Sequence, residues 1–368
     1  MVVYTLPRSA PMSIRSFLKR LLYRGAHLSG ANAICLGSQW RARRLLILCY
    51  HGVSLDDEHE WSGLYVPPEH FRGRLEALRR AGCSVLRLQD AVDRLFRGTL
   101  PPRAVVLTFD DGYYDFAAKA WPALREFQYP ATVYFSTYYS VHNLPVFDPM
   151  CGYLLWKARG HRLSWPEMEI APTGIDAQTA PRIGAHIQNL ALHRRLTALQ
   201  KNDLLHNLAA RLTIDFDTLC SRRILHLMKP EEAAQIAKEG VDFELHCHRH
   251  RVYRSRARFQ RELQDNHQAI QAATGQSPTH FCYPGGFLLP EFPAWLAEFG
   301  IVSATTCESG LASRASARYE LPRLLDTPGI SPDVFSAWLS GLASFLPRSS
   351  YPASESQLAE DETPVDAG

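Results

Sequence analysis

The sequence Ala-Val-Val-Leu-Thr-Phe-Asp-Asp-Gly, residues 104–112, runs from a continuous strand-like segment directly into two carboxylates and a glycine. A short, largely apolar run of this length is typical of a strand buried on both faces, as in a parallel sheet covered by helices. The acidic pair follows the carboxyl end of that strand, which is where α/β barrels carry their active sites. The segment therefore predicts an α/β protein with a polar site at the end of the strand 104–109.

The same alternation of strands and helices continues on both sides of this segment. Further strands are predicted at residues 45–50, 85–88, 131–135, 241–245, 279–283 and 301–305. Helices are predicted at residues 67–80, 115–127, 231–239, within 256–274, and at 291–299. Because strands that alternate with helices form parallel sheets, the pattern predicts an α/β barrel, and a chain of 368 residues is long enough for one barrel with an insertion.

Three segments fall outside this alternation. Residues 140–229 are rich in His, Leu, Ala and Gln and contain helical stretches such as 185–212, so we expect a mostly helical insertion into a barrel of residues 41–345. Residues 1–40 contain Arg and Lys but no Asp or Glu, which indicates a basic N-terminal segment. Residues 346–368 are rich in Ser, Pro and acidic residues, so we expect a disordered acidic tail.

Composition and charge limit the partners that the chain can have. Hydrophobic residues make up 46% of the sequence and charged residues 21%, so a large core can be buried. The formal net charge of +3 is too small to indicate a nucleic-acid partner, and no run of 18 apolar residues indicates a membrane-spanning helix. The eight cysteines include no Cys-x-x-Cys pair, so we expect mostly buried, reduced thiols. As the N-terminus also lacks a signal-peptide pattern, we expect a cytoplasmic protein.

The N-terminal segment contains one amphipathic pattern. Residues 13–24 place five apolar side chains at helical spacing, with Arg and Lys between them. A basic amphipathic helix of this kind lies on anionic membrane surfaces, which would make the protein peripheral at the inner face of the membrane. The alternative is a helix that packs against the body of the domain, and the sequence leaves both interpretations open.

Asp110 and Asp111 form the first of three polar clusters that follow predicted strands. Two adjacent carboxylates point in different directions, so that one can bind a metal ion while the other stays free as a base. Gly112 allows the backbone to turn tightly after them. On its own, however, Asp-Asp-Gly is equally consistent with a solvated turn.

The second cluster is His246-Cys247-His248-Arg249-His250, directly after the predicted strand 241–245. Imidazole is the commonest metal ligand, and three histidines in five residues would be costly to bury unpaired. On a helical turn His246 and His250 would lie on one side, whereas in an extended segment His248 would share their face. The alternative is a basic loop with surface histidines.

The third cluster is Tyr283-Pro284-Gly285-Gly286, again at the end of a predicted strand. Pro284 fixes the turn, and the glycines allow backbone N–H groups to approach a ligand, as an oxyanion hole requires. Taken alone, Pro-Gly-Gly is also an ordinary turn.

Together the three clusters resemble the polysaccharide deacetylases with NodB homology, carbohydrate esterase family four. The family's first motif, Thr-Phe-Asp-Asp-Gly, is matched by residues 108–112, and its second, His-Ser/Thr-x-x-His, by residues 246–250 with Cys247 in the Ser/Thr position. The looser form of its third motif, Tyr-Pro-x-Gly, is matched by residues 283–286, with Cys282 where Arg often stands. The resemblance covers residues 45–325 apart from the insertion.

This resemblance implies a distorted (β/α)7 barrel and a metal-dependent hydrolase. The expected reaction removes an N-acyl group, chiefly acetyl, from an amino sugar in a polysaccharide or glycan precursor, so the expected partner is an N-acetylated carbohydrate. Asp110 would be the catalytic base, and Asp111, His246 and His250 would bind a divalent ion such as Zn²⁺. One carboxylate and two imidazoles leave an open position for water, as a catalytic zinc requires.

The resemblance also implies a role for the third cluster. Tyr283, Pro284 and Gly285 would face the substrate. The Gly285 N–H would stabilise the oxyanion, because Pro284 has no N–H to donate.

The chain departs from the family at the general acid, which the family usually supplies as a His near the C-terminus. No His follows His280. The segment Tyr50-His51-Gly52-Val53 resembles the Tyr-His-x-Val element of poly-N-acetylglucosamine deacetylases, in which an early His is the acid in a circularly permuted arrangement. His51 is therefore the candidate acid, with a packed His at a strand end as the alternative. In the family an arginine often braces the base, but Cys282 stands at that position here. Arg323 is the candidate to brace the base in its place.

Two other functions remain open from the sequence. Cys247 and Cys282 at motif positions are compatible with a non-catalytic, carbohydrate-binding relic of this fold, although such a relic has no need of both aspartates, both histidines and His51. Because fold and metal do not fix the substrate, a hydrolase of another C–N or ester bond is the second alternative.

Overall fold

Seven parallel strands close into a barrel in the computed structural model, which describes residues 22–25, 28–345 and 358–359. In chain order, which is also their order around the barrel, the strands are Arg44–Tyr50, Ala104–Phe109, Thr132–Phe135, Asp242–Leu245, His280–Cys282, Ser303–Ser309 and Leu321–Leu325. The first strand closes the barrel because it pairs in parallel with both the second and the seventh. All seven carboxyl ends therefore lie at one end of the barrel. The expected (β/α)7 barrel is confirmed.

Helices cover the outside of the barrel. The longer ones are Pro68–Arg80, Leu88–Arg97, Trp121–Phe127, Pro230–Lys238, Arg256–Thr274, Phe292–Glu298 and Pro332–Ser340, and the shorter ones are Ala31–Leu36, Gln39–Ala42, Glu58–Trp61 and Tyr138–His142. Strand residues on alternating faces, such as Leu46 and Ile47, are both completely buried. This burial on both faces is the reason that the strands are continuous apolar runs rather than alternating ones.

The segment between the third and fourth barrel strands contains the whole of residues 140–229. It comprises the helices Phe147–Lys157, Thr179–His193, Ala198–Arg211 and Phe216–Ser221, with an antiparallel hairpin of Arg162–Trp165 and Ile170–Gly174 and the 3₁₀ turn Pro166–Met168. The predicted helical stretch 185–212 is divided in two. Thr197 is the reason, because its side chain caps the helix Ala198–Arg211 and forms a capping box with Gln200.

Several element bounds differ from the prediction. The strand expected at residues 85–88 is shorter, Ser84–Val85, because the helix Leu88–Arg97 begins directly after it. The helix expected at 115–127 begins with a π-helical turn, Phe116–Ala120. The seventh strand and the helix Pro332–Ser340 were not predicted, since Pro322 and Arg323 interrupt the strand pattern.

The remaining short elements lie around the barrel. Gly52–Val53 pairs with Tyr65–Val66, Ala312–Ser313 runs antiparallel to the start of the first strand, Val252–Tyr253 pairs with Leu358–Ala359, and Pro284–Gly286 and Leu342–Phe345 are 3₁₀ turns. All eight cysteines are free, and four of them are buried, fewer than the sequence predicted.

The expected N-terminal helix and acidic tail fall largely outside the described residues. Of the helix 13–24, residues 22–24 are described; there Tyr23 is buried against the core and Leu22 is exposed. Of the tail 346–368, Leu358 and Ala359 are described, in the short strand that pairs with Val252–Tyr253. Among the described residues, no helix is both long and apolar enough to cross a membrane.

Candidate metal and catalytic site

Asp110 and Asp111 lie in a tight turn at the carboxyl end of the second barrel strand. Asp111 has a φ of 67° and Gly112 a φ of 81°, so the backbone passes through the left-handed region at both residues. A Cβ atom at position 112 would lie 2.2 Å from Cδ2 of Phe135, so the turn requires glycine. The turn directs the two carboxylates to different neighbours, as the sequence suggested.

The Asp110 carboxylate is held by a buried guanidinium. Arg323 Nη1 donates to Oδ1 at 2.7 Å and Nη2 donates to Oδ2 at 2.8 Å. The thiols of Cys49 and Cys282 lie 3.4 Å and 3.6 Å from the same Oδ2 atom. Burial alone would raise the pKa of Asp110, but the charge of Arg323 and its two hydrogen bonds hold that pKa well below its ordinary value. Asp110 is therefore ionised and fixed in orientation.

Residues 246–250 form an irregular turn after the fourth barrel strand, neither helical nor extended. Cys247 and His250 have φ values of 60° and 55°, so the chain changes direction at both. The turn brings the Nε2 atoms of His246 and His250 to 3.1 Å from each other. These atoms lie 3.3 Å and 3.0 Å from Oδ1 of Asp111. Two of the three histidines thus converge on the carboxylate expected to share a metal ion with them.

The three converging atoms are arranged as metal ligands rather than as hydrogen-bond partners. Asp111 Oδ1 is buried and forms no well-aligned hydrogen bond with a described residue. His246 Nδ1 donates to the Cys282 carbonyl oxygen at 2.8 Å, which leaves Nε2 as the ring nitrogen directed at Asp111. Burial alone would raise the pKa of Asp111, but His250 and His246 hold it well below its ordinary value. One carboxylate and two imidazoles within 4.8 Å of one another fit a divalent ion such as zinc.

His248 does not join this group. Its Nδ1 atom lies 2.8 Å from Oγ1 of Thr137, and burial lowers the pKa of the ring to about 4. The Thr137 and Tyr138 N–H groups both donate to the His248 carbonyl, at 3.2 Å and 2.9 Å. His248 therefore attaches the histidine loop to the neighbouring strand end.

Two residues of the helix Arg256–Thr274 support the histidine loop and were missed by the sequence analysis. Asn266 Oδ1 accepts the His246 N–H at 2.9 Å. Glu262 accepts the backbone N–H and the guanidinium of Arg249, each at 2.8 Å. Neither residue lies in a recognisable motif, so only the three-dimensional contact reveals them.

His51 lies at the end of the first barrel strand, at the same end of the barrel as the two aspartates. A ring nitrogen of His51 lies within 4.8 Å of the Cys49 sulfur and of an Asp110 carboxylate oxygen. The Nδ1 atom of His51 is buried and has no hydrogen-bond partner among the described residues. Burial lowers the pKa of His51, while Asp110 and Asp111 act in the opposite direction. His51 is thus next to the candidate base with one ring nitrogen unpaired.

The third cluster, residues 283–286, places a backbone turn at the end of its strand, whereas the Tyr283 side chain lies in the core. The Tyr283 ring is completely buried and packs against Phe281 and Phe292, with centroid distances of 5.1 Å and 6.2 Å, so it lies in the core and does not face the substrate as expected. Pro284 begins a 3₁₀ turn in which Gly285 has a φ of 60°. The turn follows the strand whose Cys282 carbonyl orients His246.

A parallel (β/α)7 barrel with a His-His-Asp group and a second ionised carboxylate at its carboxyl end defines the class of protein, a metal-dependent hydrolase. The chain belongs to the polysaccharide deacetylase family, whose sequence model matches residues 97–304, more than half of the chain. Members of this family are hydrolases of non-peptide carbon–nitrogen bonds and depend on a metal ion. The family, the fold and the enzyme class expected from the sequence are confirmed.

Individual relatives agree with this assignment. YxkH of Bacillus subtilis (strain 168) is 21% identical over 302 residues, covering 81% of this chain and 77% of YxkH. The poly-beta-1,6-N-acetyl-D-glucosamine N-deacetylase of Escherichia coli (strain K12) is 33% identical over 97 residues, 25% of this chain and 14% of that enzyme.

Solved structures share the fold at low sequence identity. The Streptococcus pyogenes deacetylase PplD, in complex with acetate, has a TM-score of 0.53 and 18% identity, with coverage of 79% of this chain and 96% of PplD. IcaB from Ammonifex degensii has a TM-score of 0.51 and 18% identity, with coverage of 82% and 98%. At this identity the likeness establishes the fold alone.

Proposed function

We propose that this protein is a metal-dependent deacetylase that removes the acetyl group from an N-acetylated amino sugar in a polysaccharide or glycan precursor. The observation that carries the proposal is the group of Asp111, His246 and His250 next to an ionised, separately held carboxylate, Asp110. The name of the partly matching Escherichia coli relative supports an N-acetylglucosamine polymer as the substrate class. The ion that suits one carboxylate and two imidazoles is Zn²⁺.

The residues of the site have complementary tasks in this reaction. Asp111, His246 and His250 would hold a divalent ion, which would supply Lewis-acid activation of the acetamide carbonyl and of water. Asp110 accepts the proton that water loses as it attacks, and Arg323 keeps the accepting carboxylate ionised and aimed.

Two further groups act on the substrate side. His51, which lies next to Asp110, donates a proton to the departing amine. The Gly285 N–H stabilises the negative charge that develops on the carbonyl oxygen.

Acetate release from N-acetylglucosamine oligomers, measured together with the metal content of the purified protein, tests this proposal. We expect one divalent ion per chain and acetate release that stops on chelation and returns with zinc. Metal-loaded protein that binds these oligomers without releasing acetate would favour a carbohydrate-binding relic of this fold. Release of another acyl group, or cleavage of esters alone, would favour a hydrolase of a different bond.

A further inference from the structure

A cleft leads from the metal-ligand group towards the helical insertion. Asp111 and His250 line it at the barrel end, and Leu192, Leu196 and Phe147 line it on the insertion side. Leu192 is 38% exposed, near the end of the helix Thr179–His193. A substrate whose acetyl group reaches the metal ligands would therefore extend along residues of the insertion.

Four Arg or Lys side chains line the same cleft, and one of them, Arg249, is paired with acidic residues. Arg195 and Lys201 come from the insertion, and Arg251 directly follows the ligand His250. Only one further carboxylate, Asp148, lines the cleft beside the metal ligand Asp111, and it interacts electrostatically with Arg251 and Lys201. The charges around this part of the cleft thus favour an anion.

Among the residues that the structure describes, Arg195 and Arg251 form no close ion pair, although Arg251 interacts electrostatically with the Asp148 carboxylate of the same cleft. The other arginine of the cleft, Arg249, differs, because Glu262 and Asp265 accept from it at 2.8 Å and 3.5 Å. The neighbouring residue Arg194 also differs, since it lies near Glu169 at 3.7 Å and does not line the cleft. Arg195, and Arg251 next to the single carboxylate Asp148, are thus the guanidinium groups of this concave surface that can donate to a ligand.

The backbone holds Arg195 directly after the helix Thr179–His193. Arg195 has a φ of 55°, a left-handed conformation that is usual just past a helix end. Its N–H donates to the Leu192 carbonyl at 2.9 Å, which completes the helix end. The closed helix end therefore places Arg195 at the cleft that its side chain lines.

We propose that Arg195 and Arg251, with Lys201 beside them, form a subsite for an acidic group of the saccharide, a carboxylate or a phosphate. This inference rests on the proposed function and specifies it: the preferred substrate is an N-acetylated glycan that carries negative charge near the sugar to be deacetylated. Guanidinium groups suit both anions because they donate in a planar, bidentate geometry.

Binding measurements with three saccharides test the subsite. The probes are the neutral N-acetylglucosamine trimer, an N-acetylglucosamine oligomer that contains glucuronate, and uridine-diphosphate N-acetylglucosamine, each titrated into the zinc-loaded full-length protein by calorimetry. We expect at least one acidic probe to bind about tenfold more tightly than the neutral trimer for each guanidinium engaged, and to weaken as salt is raised. The acidic probe that binds more tightly identifies the carboxylate or the phosphate as the source of the charge.

Substitutions assign the preference to these residues. Arg195→Gln combined with Arg251→Gln should reduce acidic binding to the level of the neutral trimer while leaving neutral binding unchanged. Arg194→Gln, at the next position, is the matched control and should change neither. Arg195→Gly guards against a folding artefact, since glycine suits the φ of 55°, and it should also weaken acidic binding.

The outcomes separate this inference from the proposed function. Equal affinity for acidic and neutral saccharides, no measurable binding of either acidic probe, or equal weakening of all three probes in the double variant would overturn the anion subsite. Selective acidic binding without acetate release from any N-acetylated saccharide would leave the subsite standing and overturn the deacetylase assignment.

Discussion

Arg323 donates hydrogen bonds to both carboxylate oxygens of Asp110, although the two residues are 213 positions apart in the chain. The contact is possible because Arg323 lies in the seventh barrel strand, which pairs with the first strand, and the first strand pairs with the one that ends at Asp110. Closure of the barrel therefore completes the site. Arg323 Nη2 also contacts the Cys282 sulfur at 3.0 Å, so the thiol that replaces the family's usual arginine lies against the arginine that takes over the contact.

Asp110→Asn should retain the metal ion and lose most of the deacetylase activity. The amide keeps the shape of the side chain but cannot accept the proton, and general base catalysis is typically worth roughly 10²–10⁴-fold. Turnover of N-acetylglucosamine oligomers and zinc content are measured on the same preparation. A variant with full zinc and wild-type turnover would remove Asp110 from the role of base.

Metal binding should depend on Asp111, His246 and His250 but not on His248. The first three side chains converge within hydrogen-bonding distances of one another, whereas His248 is bonded to Thr137. Zinc content and affinity are measured in single alanine variants, with His248→Ala as the control from the same loop. If His248→Ala loses the ion and His250→Ala keeps it, the ligand assignment is wrong.

The sequence predicted the barrel because its apolar strands alternate with helices and three of these strands end at polar clusters. The strand Ala104–Phe109 was predicted with its observed bounds, since it is buried on both faces and bounded by Arg103 and Asp110. The seventh strand escaped because its sequence, Leu-Pro-Arg-Leu-Leu, contains a proline and a charge that only the closed barrel accommodates.

Site residues could be predicted where they belong to one short motif. Contacts between segments that are distant in the sequence could not. The motif match indicated His246 and His250 but did not indicate whether their loop would be helical or extended. The loop is neither, because Cys247 and His250 adopt left-handed backbone conformations. Tyr283 was expected at the substrate because it stands in a motif, yet its ring turns to the aromatic core. Burial of that ring depends on Phe292, a contact with no local sequence signal.

Acid should destabilise the protein through two buried histidines that are not part of the metal-ligand group. Burial lowers the pKa of His226 and that of His280 from 6.5 to about 4. Both rings must stay neutral in the folded protein but charge when it unfolds, so their contribution is complete above pH 6.5 and is lost as the pH falls towards about 4. Each contributes up to roughly 3 kcal/mol, at 1.36 kcal/mol per pH unit.

Urea unfolding between pH 7 and pH 4 measures this effect. The free energy of unfolding should fall less steeply with acid in His226→Gln and in His280→Gln, whatever their stability at neutral pH. His161→Gln, which replaces a histidine on the exposed side of the insertion, is the control. Parallel pH profiles for wild type and both buried variants would contradict the assignment.

The basic N-terminal stretch, residues 13–24, is predicted to bind anionic membranes, a property that the described residues leave untested. Each Lys or Arg near such a surface gains roughly 1 kcal/mol. Co-sedimentation with liposomes containing phosphatidylglycerol should decrease at high salt and in a variant with Arg15, Lys19, Arg20 and Arg24 changed to Gln. Neutral liposomes are the control, and binding that does not respond to these four changes would favour a helix packed on the domain.

His51 should protonate the leaving amine, so its loss should affect amides more than activated esters. The ring is within 4.8 Å of the candidate base, and the buried Nδ1 atom has no partner among the described residues. Breaking a C–N bond requires a proton on the departing nitrogen, whereas an aryl oxide leaves without one.

We therefore expect His51→Ala to keep its zinc, to slow acetate release from N-acetylglucosamine oligomers by roughly 10²-fold or more, and to slow hydrolysis of an aryl acetate much less. His51→Gln is the matched variant, because it can donate a hydrogen bond but cannot transfer a proton at neutral pH, and it should behave like alanine. Asp110→Asn provides the contrast, since loss of the base slows both substrates. Equal slowing of amide and ester in His51→Ala would assign the ring to binding, and loss of zinc would assign it to the metal site.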